Sequence, residues 1–163
     1  MIYTIKSGKH RASPLTVGFF INKRRIRKYI RFLPSCRYAL EGADKEDVNK
    51  LFGLGYLWHH HKDSARFGWV YNPQMDRVDI FSYCYIDGSR EIAFIARVNI
   101  GEVYEYTLEV KNKTYYLSVR GYSVNKSVEV PHTHHKKLAF PLGFWFGGNN
   151  PAPHTMQADI KTA

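Results

Sequence analysis

VYEYTLEVKNKTYYLSVRGY, residues 103–122, reads as two alternating strands around a two-residue turn. Placing Asn112 and Lys113 in the turn sets Val110 opposite Tyr115, Leu108 opposite Leu117 and Tyr106 opposite Val119. One face of the hairpin is then apolar throughout, while the other pairs Glu105 with Arg120. A slip of one residue would carry every apolar side chain to the wrong face, so the pattern specifies the register.

The same alternation recurs along the chain. Strands are predicted over Ile2–Ile5, Leu15–Ile21, Ile26–Leu33, Cys36–Leu40, Tyr56–His61, Ala65–Tyr71, Val78–Ile86, Glu91–Ile100, Val103–Val110, Thr114–Arg120, Ser127–Val130, Leu138–Phe146 and Met156–Thr162. Residues 44–51 alone read as helix, with Asp44 as N-cap and Asp47 three residues on. Many short strands at regular spacing predict an all-β, two-sheet antiparallel β-sandwich (jelly roll) with one short helix. At 163 residues, 1–163 is expected to form a single domain.

A second hairpin turns at Asp87-Gly88-Ser89, with Gly88 supplying the positive φ of a bulged turn. It sets Val78, Ile80, Ser82, Cys84 and Ile86 against Val98, Ala96, Phe94, Ile92 and Arg90. The other face carries Asp79, Phe81, Tyr83 and Tyr85 opposite Arg97, Ile95, Ala93 and Glu91. Extension through the loop at 72–76 adds Trp69 and Phe67 beside Asp79 and Phe81, giving an aromatic face with an Asp79/Arg97 pair.

Charge is segregated along the chain. The first 40 residues hold ten Lys and Arg and no Asp or Glu, equal to the net charge of +10. Such a single-sign field attracts anions at the cost of self-repulsion. Arg25, Arg27, Tyr29 and Arg31 share one strand face, with same-face neighbours about 6.6 Å apart. That spacing suits successive anionic groups on a polymer; the alternative is a solvated face that discourages edge pairing.

Two histidine clusters stand out. His59 and His61 share a face in an extended strand, within a run that continues to Arg66 and Trp69, and residues 132–135 repeat the geometry. Zinc would need the clusters to converge, and no HExxH spacing or Cys ligand supports it, so no metal or cofactor is expected. Hydrogen bonding or pH-dependent charge is the expected use of these imidazoles. Cys36 and Cys84 match no metal or redox spacing, and no disulfide is required.

Catalytic signatures are sparse. A Glu-x-Asp-x-Glu pattern is absent, Thr107 standing midway between Glu105 and Glu109. There is no Ser/His/Asp elbow, phosphate-cradling glycine loop or dinucleotide fingerprint. A lyase needs a Tyr or His base and a cation for the uronate carboxylate, types that Tyr83, Tyr85, His59, His61, Arg66 and Arg97 supply.

From Val78 onward, the layout with its YIDG turn and the 103–122 hairpin resembles the concanavalin A-like and laminin-G-like jelly-roll superfamily. The blocks SGKH, HHHKDSARFGW and FGGNNPAPH are similar to those of uncharacterised bacterial and phage members. The resemblance implies two packed antiparallel sheets and glycans as the commonest ligands. It carries over no catalytic residue, because the hydrolase and lyase signatures do not match.

The leading expectation is a non-catalytic binding module for acidic glycans at a cell or virion surface, with an anionic polysaccharide as partner. Its candidate ligand-binding residues are Arg25, Arg27, Arg31, His59, His61, Arg66, Trp69, Tyr83, Tyr85 and Arg97. The alternatives are a structural or decoration protein bound to other subunits of a phage-like assembly, and a polysaccharide lyase. Nucleic acid is disfavoured because no reading motif accompanies the basic strand. No run reaches the ~20 apolar residues of a membrane span. The opening residues lack the apolar core of a signal peptide, so the expected location is the cytoplasm at synthesis or a virion.

Overall fold

In the computed structural model, which describes residues 1–42, 47–56, 59–134 and 136–163, the alternating segments close into two antiparallel sheets. In chain order the strands are β1 (Ile2–Ile5), β2 (Ala12–Ser13), β3 (Phe20–Ile21), β4 (Arg25–Phe32), β5 (Asn49–Tyr56), β6 (Ser64–Asn72) and β7 (Arg77–Ile86). They continue with β8 (Ser89–Asn99), β9 (Tyr104–Lys111), β10 (Thr114–Arg120), β11 (Asn125–Pro131), β12 (Leu138–Leu142) and β13 (Met156–Thr162). The seven-stranded sheet runs β11-β10-β9-β4-β13-β1-β2 and the six-stranded sheet β3-β12-β5-β6-β7-β8. A 3-10 turn at Pro34–Cys36 is the helical element among the described residues.

The β9–β10 hairpin has the expected register, with Leu108 opposite Leu117 and Glu105 opposite Arg120. The apolar members Tyr106, Leu108, Tyr115, Leu117 and Val119 are all buried, because this face packs between the sheets.

The β7–β8 hairpin is corrected by one residue over half its length. Asp87 and Gly88, at φ +50° and +86°, form a two-residue turn that closes sooner than a bulged loop would. A shift between Ile80 and Phe81 leaves Ile95 as the additional residue, and both Ile95 and Ala96 are buried. Asp79 therefore still faces Arg97, but Tyr83 faces Ile92 and Tyr85 faces Arg90.

Other differences have local causes. Of the expected helix, residues 44–46 lie outside the described residues, while Asn49–Leu51 belong to β5, inserted between β12 and β6. Pro34 starts the 3-10 turn where a strand from Cys36 was expected. Beyond Tyr56 the chain turns, with Lys62 N–H donating to the His59 carbonyl at 2.8 Å, so residues 59–61 are not strand. The expected strands Leu15–Ile21 and Leu138–Phe146 shorten to β3 and β12.

Trp69 and Phe67 pair with Ile80 and Ser82, not with Asp79 and Phe81, and point into the core. Trp69 lies 5.3 Å from the Phe32 ring and 5.6 Å from Phe144, joining the two sheets. Aromatic contacts of this kind carry much of a sandwich core. Cys36 and Cys84 are free and buried.

Charge segregation in sequence is undone in space. Glu109 is the register partner of Arg25, Glu105 that of Tyr29 and Asp159 that of Arg31. Arg27 lies 3.8 Å from Glu105 and Arg31 3.2 Å from Asp159. The acids that balance this strand come from β9 and β13, far along the chain.

Candidate functional site

One row of register partners crosses the six-stranded sheet: Leu142 on β12, Gly53 on β5, Arg66 on β6, Tyr83 on β7 and Ile92 on β8. Neighbours in such a row stand about 4.8 Å apart. The row lies on the face turned away from the core, and its members Leu142, Arg66 and Tyr83 line a groove of about 630 Å³. Gly53 leaves the room: a Cβ there would overlap the Ala65 carbonyl and the Arg66 side chain.

The groove is basic. Lys50, Arg66 and Arg11 line it with His60 and His61, and among the described residues no Asp or Glu lines it. Arg66 is buried, and its Nε has no hydrogen-bond partner among the described residues. Its guanidinium carbon lies 5.5 Å from the Tyr83 ring centre, and Lys50 Nζ lies 5.0 Å from the same ring. Burial depresses the pKa of Arg66 and also of Lys50, where the nearby Arg66 charge adds to it.

Tyr83 and Tyr85 sit with ring centres 6.0 Å apart and are driven in opposite directions. Burial would raise the Tyr83 phenol, but the Lys50 ammonium and hydrogen bonding with Arg90 and Tyr85 outweigh it and hold the pKa below the ordinary value. Burial and the neighbouring Tyr83 push Tyr85 up. His60 falls to about 4 through burial, then the Arg66 and His61 charges. The groove thus combines cations, two phenols shifted in opposite directions and, at neutral pH, a neutral His60 imidazole.

Segments far apart in sequence form one wall. Lys50 and Trp145 exchange main-chain hydrogen bonds at 2.9 and 2.8 Å, and Lys50 Nζ donates to the Gly147 carbonyl at 3.1 Å. Buried Asn49 accepts from Gly147 N–H at 2.5 Å and donates to the Tyr38 hydroxyl at 2.9 Å. His10 stacks on Trp145 at 5.4 Å, and its Nδ1 bonds the Phe146 carbonyl at 2.9 Å. The SGKH and FGGNNPAPH blocks therefore meet beside the Arg66 segment, and Asn149 also lines the groove.

Of the residues expected to bind ligand, His61, Arg66, Tyr83 and Tyr85 come together here. His59 is exposed in the 59–63 turn, and His60 takes the place on the groove, because strand alternation does not apply there. Trp69 has no exposed surface and cannot stack on a sugar. Arg97 is held by Asp79 at 2.5 Å, beyond the bulge of β7–β8. Arg25, Arg27 and Arg31 lie on the outer face of the other sheet. Lys50 and Arg11 were not singled out by sequence, Lys50 because its segment reads as helix.

No protein-family model matches the chain, and no curated protein matches it in sequence. Solved structures match in fold. An alginate lyase from Klebsiella pneumoniae superposes with a TM-score of 0.65 at 10% identity over 85% of this chain, which spans 59% of that enzyme's length. The alginate lyase AlyC3 gives 0.64 at 10% identity, covering 99% of this chain and 74% of its own, and is also known in complex with dimannuronate. A functionally unknown protein from Saccharomyces cerevisiae gives 0.58 at 8% identity, covering 99% and 88%. The likeness is one of fold, a two-sheet antiparallel β-sandwich.

Proposed function

We propose that the groove on the six-stranded sheet binds an acidic polysaccharide, with carboxylates on Arg66 and Lys50 and sugar rings against Tyr83 and Tyr85. The observation that carries this is Arg66, a buried guanidinium opening onto a cavity that no carboxylate lines among the described residues. A buried charge without a counter-ion is costly, and an incoming carboxylate relieves that cost. The likeness in fold to alginate lyases supports the ligand class.

A second reading, β-elimination, is favoured by the opposed shifts of Tyr83 and Tyr85. The Tyr83 phenolate would take the proton α to a uronate carboxylate, whose developing charge Arg66 stabilises. The electron pair of the broken C–H bond forms the C=C bond, and the glycosidic oxygen leaves with the Tyr85 proton.

Binding of neutral, uronate and sulfated polymers to the intact protein tests the first reading. Arg66→Ser is expected to weaken uronate binding at least about tenfold. The Arg25→Ser/Arg27→Ser/Arg31→Ser variant is expected to retain it. Equal binding by Arg66→Ser and parent would overturn the groove assignment. Unsaturated uronate, followed by its ultraviolet absorbance and abolished in Tyr83→Phe, separates lyase from binding protein.

A further inference from the structure

A second cavity, of about 620 Å³, opens where the Tyr56 end of β5 meets three turns: residues 22–24, Lys111–Lys113 and the stretch that carries His132, His134, Lys136 and Lys137. It shares no lining residue with the groove. The groove reading does not use it, although it contains the second histidine cluster and the basic turn before β4.

Main-chain hydrogen bonds hold the three turns in place. Asn22 N–H donates to the Lys137 carbonyl at 2.8 Å, His132 N–H to Lys113 at 2.8 Å, and Val110 N–H to Arg24 at 2.7 Å. Cations from all three converge: Lys23, Arg24, Lys111, Lys113, Lys136 and Lys137 line the cavity, with Glu109 its one acid. Lys136 is committed to Asp63, and Lys23 lies 5.3 Å from the Phe20 ring. Arg24, Lys111, Lys113 and Lys137 form no ion pair among the described residues.

The lining histidines form a stacked platform. His132 and His134 stack at 4.2 Å and 20°, His132 against Tyr115 at 4.3 Å and His134 against Tyr56 at 4.5 Å. The Tyr115 hydroxyl and His134 Nε2 share a hydrogen bond. Burial and the neighbouring His132 hold His134 at about 4, so His134 is neutral at neutral pH.

We infer that this cavity is a second ligand site, for a compact oxyanion: a phosphate or sulfate ester. Cations brought from separate turns to one cavity match charge concentrated on one group. A phosphate monoester carries about −1.5 to −2 with three strong acceptor oxygens, and lysines bind such groups as point charges. A uronate polymer spreads its charge along the chain and suits the open groove better.

Calorimetric titration of the intact protein with inorganic tripolyphosphate, inorganic sulfate and a sulfated disaccharide tests this. Preference among the three identifies the ester. Saturable one-to-one binding is expected for at least one probe, with Kd raised at least about tenfold, or about 1.4 kcal/mol, in Arg24→Ser/Lys137→Ser. Arg66→Ser is expected to bind the probe as the parent does. Lys111→Ser/Lys113→Ser is a second pair of exposed positions should the first variant melt early. No saturable heat with any probe, parent-like binding by both variants, or loss in Arg66→Ser would overturn the site.

Discussion

Arg66 and Tyr83 are register partners on adjacent strands, with the guanidinium carbon 5.5 Å from the phenol ring centre. This contact and the Lys50 ammonium on the same ring hold a buried and a half-buried cation beside one phenol. The arrangement trades fold stability for a charged surface open to a ligand.

Replacing Arg66 by Met is therefore expected to leave the melting temperature unchanged or raise it, while abolishing polysaccharide binding. Removing an unpaired buried charge relieves its desolvation. Calorimetric melting beside a binding titration checks it; a large drop in melting temperature would show Arg66 to be structural.

Tyr83 is expected to be the first tyrosine to ionise in an alkaline titration, since Tyr38 and Tyr56 are pushed up to about 12 by burial. A depressed folded pKa stabilises when the group is ionised. The contribution is complete above the unfolded value and is lost as pH falls through the folded one. Lys50→Met should move the first step of tyrosinate absorbance upward, and Tyr83→Phe should remove it.

Acid sensitivity should arise from His60 and His134, both held at about 4 against an ordinary 6.5. Between those values the unfolded chain binds more protons, so stability rises with pH across this window and falls on acidification. The His60→Gln/His134→Gln variant should show a flatter melting temperature between about pH 4 and 6.5. An unchanged slope would place the acid limb elsewhere.

Leu108 and Leu117 face each other across β9 and β10 with no exposed surface. Leu108→Ala and Leu117→Ala should each cost about 2–5 kcal/mol in denaturant unfolding. Losses under about 0.5 kcal/mol are the surface range and would contradict the burial.

Lys28 alternates onto the core side of β4, with Nζ 5.0 Å from the Phe52 ring, and burial lowers its pKa. Lys28→Met should raise the melting temperature by about 2–4 °C for each kcal/mol gained. The gain should shrink as pH rises from the lowered pKa toward the ordinary 10.5, where the parent's lysine becomes neutral in the unfolded state too.

The parts legible in sequence are those specified by neighbours along the chain. The 103–122 hairpin matched because apolar alternation and a two-residue turn agree on one register. The β7–β8 hairpin is legible only as far as Ile80, since a bulge leaves no mark in period-two alternation. For the site, Arg66, Tyr83 and Tyr85 are visible as residue types on strands. The Trp145–Gly147 wall and Lys50 are not, because residues nearly a hundred positions apart build them. The basic strand misleads for the same reason: Glu105, Glu109 and Asp159 reach it only through the sheet.

β13 lies between β4 and β1 in the seven-stranded sheet, so the thirteenth strand in chain order is an interior one. During synthesis, β1 and β4 wait with open edges until Met156–Thr162 emerges, and the Trp145 wall also arrives late. Such long-range closure slows folding and leaves strand edges exposed to other chains meanwhile. Yield on expression should therefore depend on how quickly β13 is captured between β4 and β1, more than on the strength of any early hairpin.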